Sequence, residues 1–232
     1  MRSMLLLLAV SALGGPGRAA YADEQADVQA NPISITQVLY RSQQARLDSL
    51  PAAEQGTPAS EIVQLSFQRL LHTVALTGRI ELRVTAGDTV AETLHGHVIV
   101  VNEAVARLPE GERMFILAHE LGHVVMSHWA QMGELFQRYV PGAVTQAQTD
   151  AVSASLGREA TGLARQHEFD ADAFALRTLR ALGHADADAT AVMSRFGFQR
   201  DTATHPGTRQ RLAALCAIDA GKIETAGLDA PP

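Results

Sequence analysis

The stretch Ala118–His123, read AHELGH, lies inside the apolar run FILAHELGHVVM. A run this apolar folds with its side chains buried, yet it carries two histidines and a glutamate. Burying such polar groups is costly unless each of them finds a partner. Any fold of this chain must therefore provide partners for His119, Glu120 and His123 in or beside its core.

The apolar residues around the motif recur at helical spacing and predict a helix from Glu110 to about Gln131. Residues four apart share one helix face, so His119 and His123 present their imidazoles side by side, at a separation that suits one small cation. Neutral imidazole is a good zinc ligand. Glu120, turned from His119 by about 100°, stays close enough to accept a proton from water. The alternative is two core histidines satisfied by carbonyl groups or water.

A third ligand on the same segment is excluded by the sequence. The extended pattern HExxHxxGxxH needs glycine and histidine where this chain has Met126 and Trp129. The nearby His128 lies about 140° around a continuous helix from His123 and is predicted to be a surface histidine. The remaining ligand must come from another part of the chain.

A second predicted helix, from Arg158 to Leu182, contains the sequence QHEFDAD. Its residues Glu168 and Asp172 are four apart, and two carboxylates at this spacing repel each other unless a cation or a hydrogen-bonding partner lies between them. We predict Glu168 as the third metal ligand and Asp172 as the acceptor for an imidazole N–H. A solvated acidic helix face is the alternative, and neither His167 nor Asp170 is predicted to be a ligand.

Three motifs together resemble a known family. HELGH, the ExDAD pattern of Glu168–Asp172 that begins 45 residues after His123, and His205-Pro206 with Arg211 follow one another in the order found in gluzincin metallopeptidases of the HtpX and CAAX prenyl endopeptidase type. The resemblance covers roughly residues 79–215. It implies one Zn²⁺ ion with the following residues around it: His119, His123 and Glu168 as ligands, Glu120 as general base, Asp172 as a supporting carboxylate, and His205 and Arg211 in an HPxxxxR element.

The HPxxxxR element has a consistent physical interpretation. Peptide hydrolysis passes through a tetrahedral oxyanion, and a hydrogen-bond donor aimed at it stabilises the transition state. His205 is predicted to be this donor, and Arg211 is predicted to pair with a nearby carboxylate and fix the loop. A loop histidine in front of a helix is the alternative.

The predicted fold is α+β and mainly helical: a gluzincin-like metallopeptidase domain with a small three-stranded sheet packed beside the HExxH helix. The strands are expected within residues 79–101: polar and apolar residues alternate over Arg79–Val84, and a His95-Gly96 turn separates Thr89–Leu94 from the β-branched run His97–Val101. Residues 33–78 are expected to form N-terminal helices and residues 79–219 the catalytic core of a single domain, 23–232. For residues 133–157 the sequence predicts no boundaries.

The substrate-lining strand departs from the family pattern, which often reads NAxA followed by PGG. The corresponding region here, Thr89–His97, keeps only Gly96. The substrate-binding residues therefore remain unknown from the sequence.

Residues 1–22 have the order of a signal peptide: a positive start, the apolar run Met4–Leu13, and small residues ending at Ala22. The run is too short to span a bilayer, and no other window is long and apolar enough to do so. A lipoprotein would carry a cysteine at the cleavage point, but the single cysteine is Cys216, predicted to lie in the core. We expect an exported, periplasmic protein that is not a lipoprotein and has no transmembrane segment in its mature chain.

Removal of residues 1–22 also removes Arg2 and Arg18, so the formal charge changes from −6 to −6 − 2 = −8. A chain this acidic is a poor partner for nucleic acid or anionic lipid. The expected partner is a polypeptide substrate.

The predicted function is that of a zinc metalloendopeptidase acting on unfolded or damaged exported proteins, as in envelope quality control. Prenylated substrates are not carried over from the family, because the transmembrane helices of its membrane members are not predicted here. One alternative is a zinc-stabilised binding or chaperone-like module with latent proteolysis, in which residues 133–157 cover the cleft. The other is a non-peptidase hydrolase on the same metal triad.

Overall fold

The computed structural model describes residues 33–76, 78–197 and 199–219. The predicted signal peptide, residues 1–22, lies outside these ranges. Across the three described ranges, no helix combines the length and the apolar character needed to cross a bilayer.

The predicted α+β, mainly helical class is confirmed. The elements of the described ranges follow in this order: α1 (Ile35–Asp48), α2 (Pro58–Val74), β1 (Glu81–Thr85), β2 (Ala91–Leu94), β3 (Val98–Asn102), a 3-10 helix (Glu103–Arg107), α3 (Glu110–Val125), α4 (His128–Tyr139), α5 (Gln146–Ala181), α6 (Asp186–Arg195) and α7 (Thr208–Asp219).

The three strands form a mixed sheet in the order β1-β3-β2. The central strand β3 pairs in parallel with β1 and antiparallel with β2, and all five of its residues are buried. The backbone N–H of Asn102 donates to the carbonyl of Val90 at 2.8 Å, so these two residues form a hydrogen-bonded pair. Hydrogen-bonded and non-hydrogen-bonded pairs alternate along the antiparallel β2–β3 ladder from this point. The backbone groups of Ala91 and Thr93 therefore point away from β3, along the outer edge of the sheet.

The turn between β2 and β3 is the predicted His95-Gly96 pair. Both residues have positive φ, 54° and 69°, which is the backbone of a tight hairpin turn whose twist matches that of the strands. A β-carbon on Gly96 would come within 3.0 Å of the Trp129 side chain, so glycine also allows α4 to pack closely on the turn.

Helix α3 lies between the sheet and α5 and forms the centre of the main core. The core residues of α3 include Met114, Leu117, Ala118 and Leu121, each fully buried. Apolar residues of α2, the sheet, α5, α6 and α7 surround them. Glu110 and Glu112 in the first turn of α3 place negative charge at the positive end of the helix dipole, which stabilises the helix.

Two predicted helix boundaries are wrong. The helix predicted to run from Glu110 to about Gln131 ends at Val125, because Ser127 has a left-handed backbone (φ 56°) that bends the chain before α4 begins at His128. The helix predicted from Arg158 begins earlier, at Gln146, where the Thr145 hydroxyl caps it by accepting the backbone N–H of Gln148.

A second apolar cluster joins α1, α4 and the first half of α5. Its buried residues are Ile35, Leu39, Leu135, Phe136, Val140, Leu156 and Ala160. Residues 133–157 are thus the end of α4, a short connection and the start of α5. Cys216, predicted to lie in the core, is exposed on α7, where the neighbouring Leu215 is the buried residue.

Helices α3 and α5 pack closely at Gly122. A β-carbon there would lie 3.2 Å from both Ala171 Cα and Phe174 Cδ1, whereas a β-carbon on the exposed Gly157 of α5 would meet nothing within 4 Å. The packing of α3 against α5 at this point therefore depends on the missing side chain of Gly122.

We expect Gly122→Val to lower the free energy of unfolding by about 1 to 3 kcal/mol, because the added carbons force the two backbones apart. The matched change Gly157→Val should stay within about 0.5 kcal/mol of wild type. Urea unfolding followed by circular dichroism measures both. Equal effects at the two positions would contradict a close helix crossing.

Candidate metal centre

The site forms where α3 and α5 cross. Its side chains come from both helices and lie almost completely inside the protein, with the following relative exposures: His119 5%, Glu120 4%, Glu168 5% and Asp172 1%. Four polar residues buried this deeply need partners, and each of them faces another member of the group or a residue brought in by a neighbouring element.

His119, His123 and Glu168, the three predicted ligands, converge on one point. The Nε2 atoms of the two histidines are 3.2 Å apart, and each lies 3.6 Å from a carboxylate oxygen of Glu168. One ligand atom from each residue falls within 4.8 Å of the others. No other such group of histidine, cysteine or acidic residues is found in the described ranges.

The donor set fits a zinc ion. Glu168 Oε2 is buried and has no hydrogen-bond partner among the described residues, although Arg211 Nη1 lies 3.5 Å away, and a positive ion at the convergence point would satisfy it. Burial, reinforced by the neighbouring His119, holds the pKa of His123 well below its usual range, so its ring is neutral and carries a lone pair. Two neutral imidazoles and one carboxylate are the three-residue ligand set of many catalytic zinc sites.

Asp172 and Arg211 hold the ring of His119. Asp172 Oδ1 lies 3.0 Å from His119 Nδ1, and Arg211 donates to both oxygens of Asp172, at 2.7 and 2.5 Å. Burial acts to raise the pKa of Asp172, but the Arg211 charge and the hydrogen bonds from Arg211 and His119 lower it to about 2. The ionised Asp172 accepts the Nδ1 proton of His119, which leaves the Nε2 lone pair facing Glu168.

Glu120 lies beside the convergence point and is held by a residue that sequence reasoning missed. The hydroxyl of Thr93, in β2, lies 2.7 Å from Glu120 Oε2 and 3.0 Å from the Glu120 carbonyl oxygen. Burial raises the pKa of Glu120 to about 7, although the charge of His119 and the Thr93 hydrogen bond act against it. Thr93 lies on the same face of β2 as Ala91, so the alternation of the strand predicts that its side chain points toward the core. The sequence does not predict which helix this side chain contacts.

His205 borders the site from the loop between α6 and α7. Its Nε2 atom lies 3.5 Å from Glu168 Oε1, its Nδ1 atom lies 2.8 Å from the Thr204 hydroxyl, and its side chain is 20% exposed. Burial lowers its pKa, so the ring is neutral. The loop thus brings one imidazole edge to the same carboxylate that faces the two histidines of α3.

The prediction of His128 as a surface histidine is wrong. The bend at Ser127 turns His128 inward, where it is 5% exposed and its Nδ1 atom lies 2.8 Å from Nδ1 of His123. Its ring stacks on that of His167, with centroids 3.9 Å apart and planes 5° from parallel. Burial and the charge of His167 lower the pKa of His128 to about 3.

The sequence profile of peptidase family M48 matches residues 90–219, and the chain belongs to this family. The match begins just before β2 and ends with α7, so it includes every predicted site residue. A comparison with curated proteins finds no match. Membership of the family makes the protein a metalloprotease that acts on polypeptides; the narrower resemblance to the HtpX and CAAX prenyl type remains a prediction.

We expect Thr93→Val to lower kcat by about tenfold, because a hydrogen bond to a charged group is worth about 1.5 kcal/mol or more. Thr93→Ser keeps the hydroxyl and should retain most of the activity. Steady-state proteolysis with metal content measured in parallel checks this. A valine variant with wild-type kcat would show that Thr93 does not position Glu120.

We expect Arg211→Met to destabilise the protein by about 3 to 5 kcal/mol, because it leaves the buried Asp172 carboxylate unpaired. The double variant Arg211→Met with Asp172→Asn removes that charge and should lose less. Urea unfolding in metal-free buffer measures both. Equal losses would mean that the ion pair is not the source of the effect.

Proposed function

We propose that the protein is a zinc-dependent metalloendopeptidase that cleaves unfolded or damaged exported polypeptides. The observation that carries this proposal is the buried convergence of His119, His123 and Glu168, with the carboxylate of Glu120 beside them. A zinc ion held by these three ligands would act as a Lewis acid, polarising the scissile carbonyl and lowering the pKa of water.

Glu120 is the general base of the proposed reaction. Its carboxylate takes a proton from the attacking water and returns it to the nitrogen of the leaving amine. The Thr93 hydroxyl fixes Oε2 at 2.7 Å, so the carboxylate holds one orientation for both transfers. The hydrogen bond joins the base directly to the edge strand of the sheet.

His205 is the proposed donor to the oxyanion. When the Thr204 hydroxyl donates to Nδ1, the ring proton of His205 resides on Nε2, the atom that faces the site. An N–H at this position can stabilise the negative charge that develops on the carbonyl oxygen. Arg211 acts differently, through Asp172 and His119, and does not need to touch the substrate.

The outer edge of β2 suits an extended peptide. The backbone groups of Ala91 and Thr93 point outward, and among the described residues they make no hydrogen bond to another backbone segment. A substrate paired with this edge is recognised through its main chain, so many sequences are accepted. Thr93 then lies both against the substrate and against Glu120, which places the peptide bond next to the base.

Main-chain recognition of this kind requires a segment that is already extended, which supports unfolded proteins as the substrate class. The signal-peptide pattern of residues 1–22 supports a periplasmic location. Together they support a role in envelope quality control.

Glu120→Gln and Glu168→Ala test the proposal. We expect wild type to bind one equivalent of zinc and to cleave reduced, unfolded casein. Glu120→Gln should keep the zinc and lose at least about 100-fold in rate, because general base catalysis is removed. Glu168→Ala should lose both zinc and activity, and Glu134→Gln, on the exposed side of α4, should match wild type.

Elemental analysis and fluorescent-casein hydrolysis provide the two measurements. Full activity of a folded, zinc-loaded Glu120→Gln protein would refute the assignment of the base. A wild-type protein that binds one zinc ion but cleaves no unfolded substrate would instead favour the binding or chaperone-like module.

A further inference from the structure

The two histidines of the HExxH motif differ in the group that contacts their Nδ1 atom. His119 uses Nδ1 to reach the carboxylate of Asp172, whereas His123 uses Nδ1 to reach another imidazole, that of His128, at 2.8 Å. A metal-binding histidine normally donates its other N–H to a carboxylate, a carbonyl or water. Neither the sequence motifs nor the proposed mechanism gives His128 a role.

The positions of the atoms determine where the protons reside. His123 Nε2 lies 3.2 Å from His119 Nε2 and 3.6 Å from Glu168 Oε1, so this atom must carry the lone pair if it binds a metal. The ring proton of His123 then resides on Nδ1 and is donated to His128 Nδ1. His128 must accept with Nδ1 and carry its own proton on Nε2.

His128 is itself held on its other side. Its ring stacks on His167, with centroids 3.9 Å apart, and His167 Nε2 lies 3.1 Å from Gln131 Oε1. Gln131 in turn donates to the carbonyl of Met126, within the bend between α3 and α4. His167 directly precedes Glu168 in α5. The stack therefore connects His123, through His128, to the helix that carries Glu168.

The backbone supports a specific role for His128 rather than simple packing. Ser127 adopts a left-handed conformation, φ 56°, which is unfavourable for a residue other than glycine. In a continuous helix His128 would lie about 140° away from His123. The strained residue is therefore what brings the two imidazoles together.

We propose that His128 is a positioning residue that accepts the hydrogen bond from His123 Nδ1. Because His128 is itself held by stacking against His167, it fixes the ring of His123 in its metal-binding orientation. This inference rests on the proposed function, because it assumes that His123 binds zinc. Without the acceptor, the His123 ring would rotate and its buried N–H would lack a partner.

Two substitutions separate the functions of His128. His128→Phe keeps a flat ring against His167 but removes the acceptor, and His128→Asn places Oδ1 close to the position of Nδ1 but removes the ring. We expect His128→Phe to weaken zinc binding by about 10- to 100-fold and to alter the visible spectrum of the Co²⁺-substituted protein. His128→Asn should weaken binding less, and His72→Phe, at an exposed site on α2, should leave it unchanged.

Chelator competition gives the zinc affinities, and Co²⁺ absorption reports the ligand geometry. If His128→Phe matches wild type in both while wild type binds zinc and cleaves casein, the inference is wrong and the proposed function stands. If wild type itself binds no zinc, both are wrong.

A measurement on wild type does not depend on the folding of a variant. Long-range ¹H–¹⁵N correlation spectra of the zinc-loaded, ¹⁵N-histidine-labelled protein report which ring nitrogen carries each proton. We expect the proton of His123 on Nδ1 and that of His128 on Nε2. A proton on Nδ1 of His128 would overturn the inference, because that nitrogen could no longer accept.

Discussion

The close crossing of α3 and α5 is the constraint on which the rest of the structure depends. With no side chain on Gly122, the two backbones approach within van der Waals contact, next to Ala171. The imidazoles of one helix then face the carboxylates of the other across a few ångströms. A wider crossing would leave the same residues in the sequence but would separate the two halves of the candidate metal site.

Most of the polar groups buried at this crossing are tolerated because they are paired with one another. Arg211, from α7, keeps Asp172 ionised; Asp172 accepts from His119; and His128 occupies the equivalent place for His123. The main core surrounds this network with apolar residues that include those of α2, the sheet and α6. The site therefore depends on elements far apart in the chain, and the family match extends across them from β2 to α7.

In the proposed function, strand β2 connects substrate binding to chemistry. Its backbone edge is available to an extended peptide, while the side chain of Thr93 reaches inward to Glu120. Because the backbone of β2 would bind the peptide while the side chain of Thr93 contacts Glu120, a peptide paired with this edge would lie at a fixed distance from the proposed base. This arrangement favours recognition of the main chain over recognition of particular side chains.

The sequence by itself determined the features that depend on local periodicity: the shared face of His119 and His123, the pair Glu168 and Asp172 one helical turn apart, and the polar–apolar alternation of β1. The tertiary structure alone decided which side chains meet across elements. The hydroxyl of Thr93, the inward turn of His128 and the exposure of Cys216 were not predicted. Spacing fixes the face of a helix or strand on which a residue lies, whereas the bend at Ser127 and the contacts across the core depend on how distant segments pack.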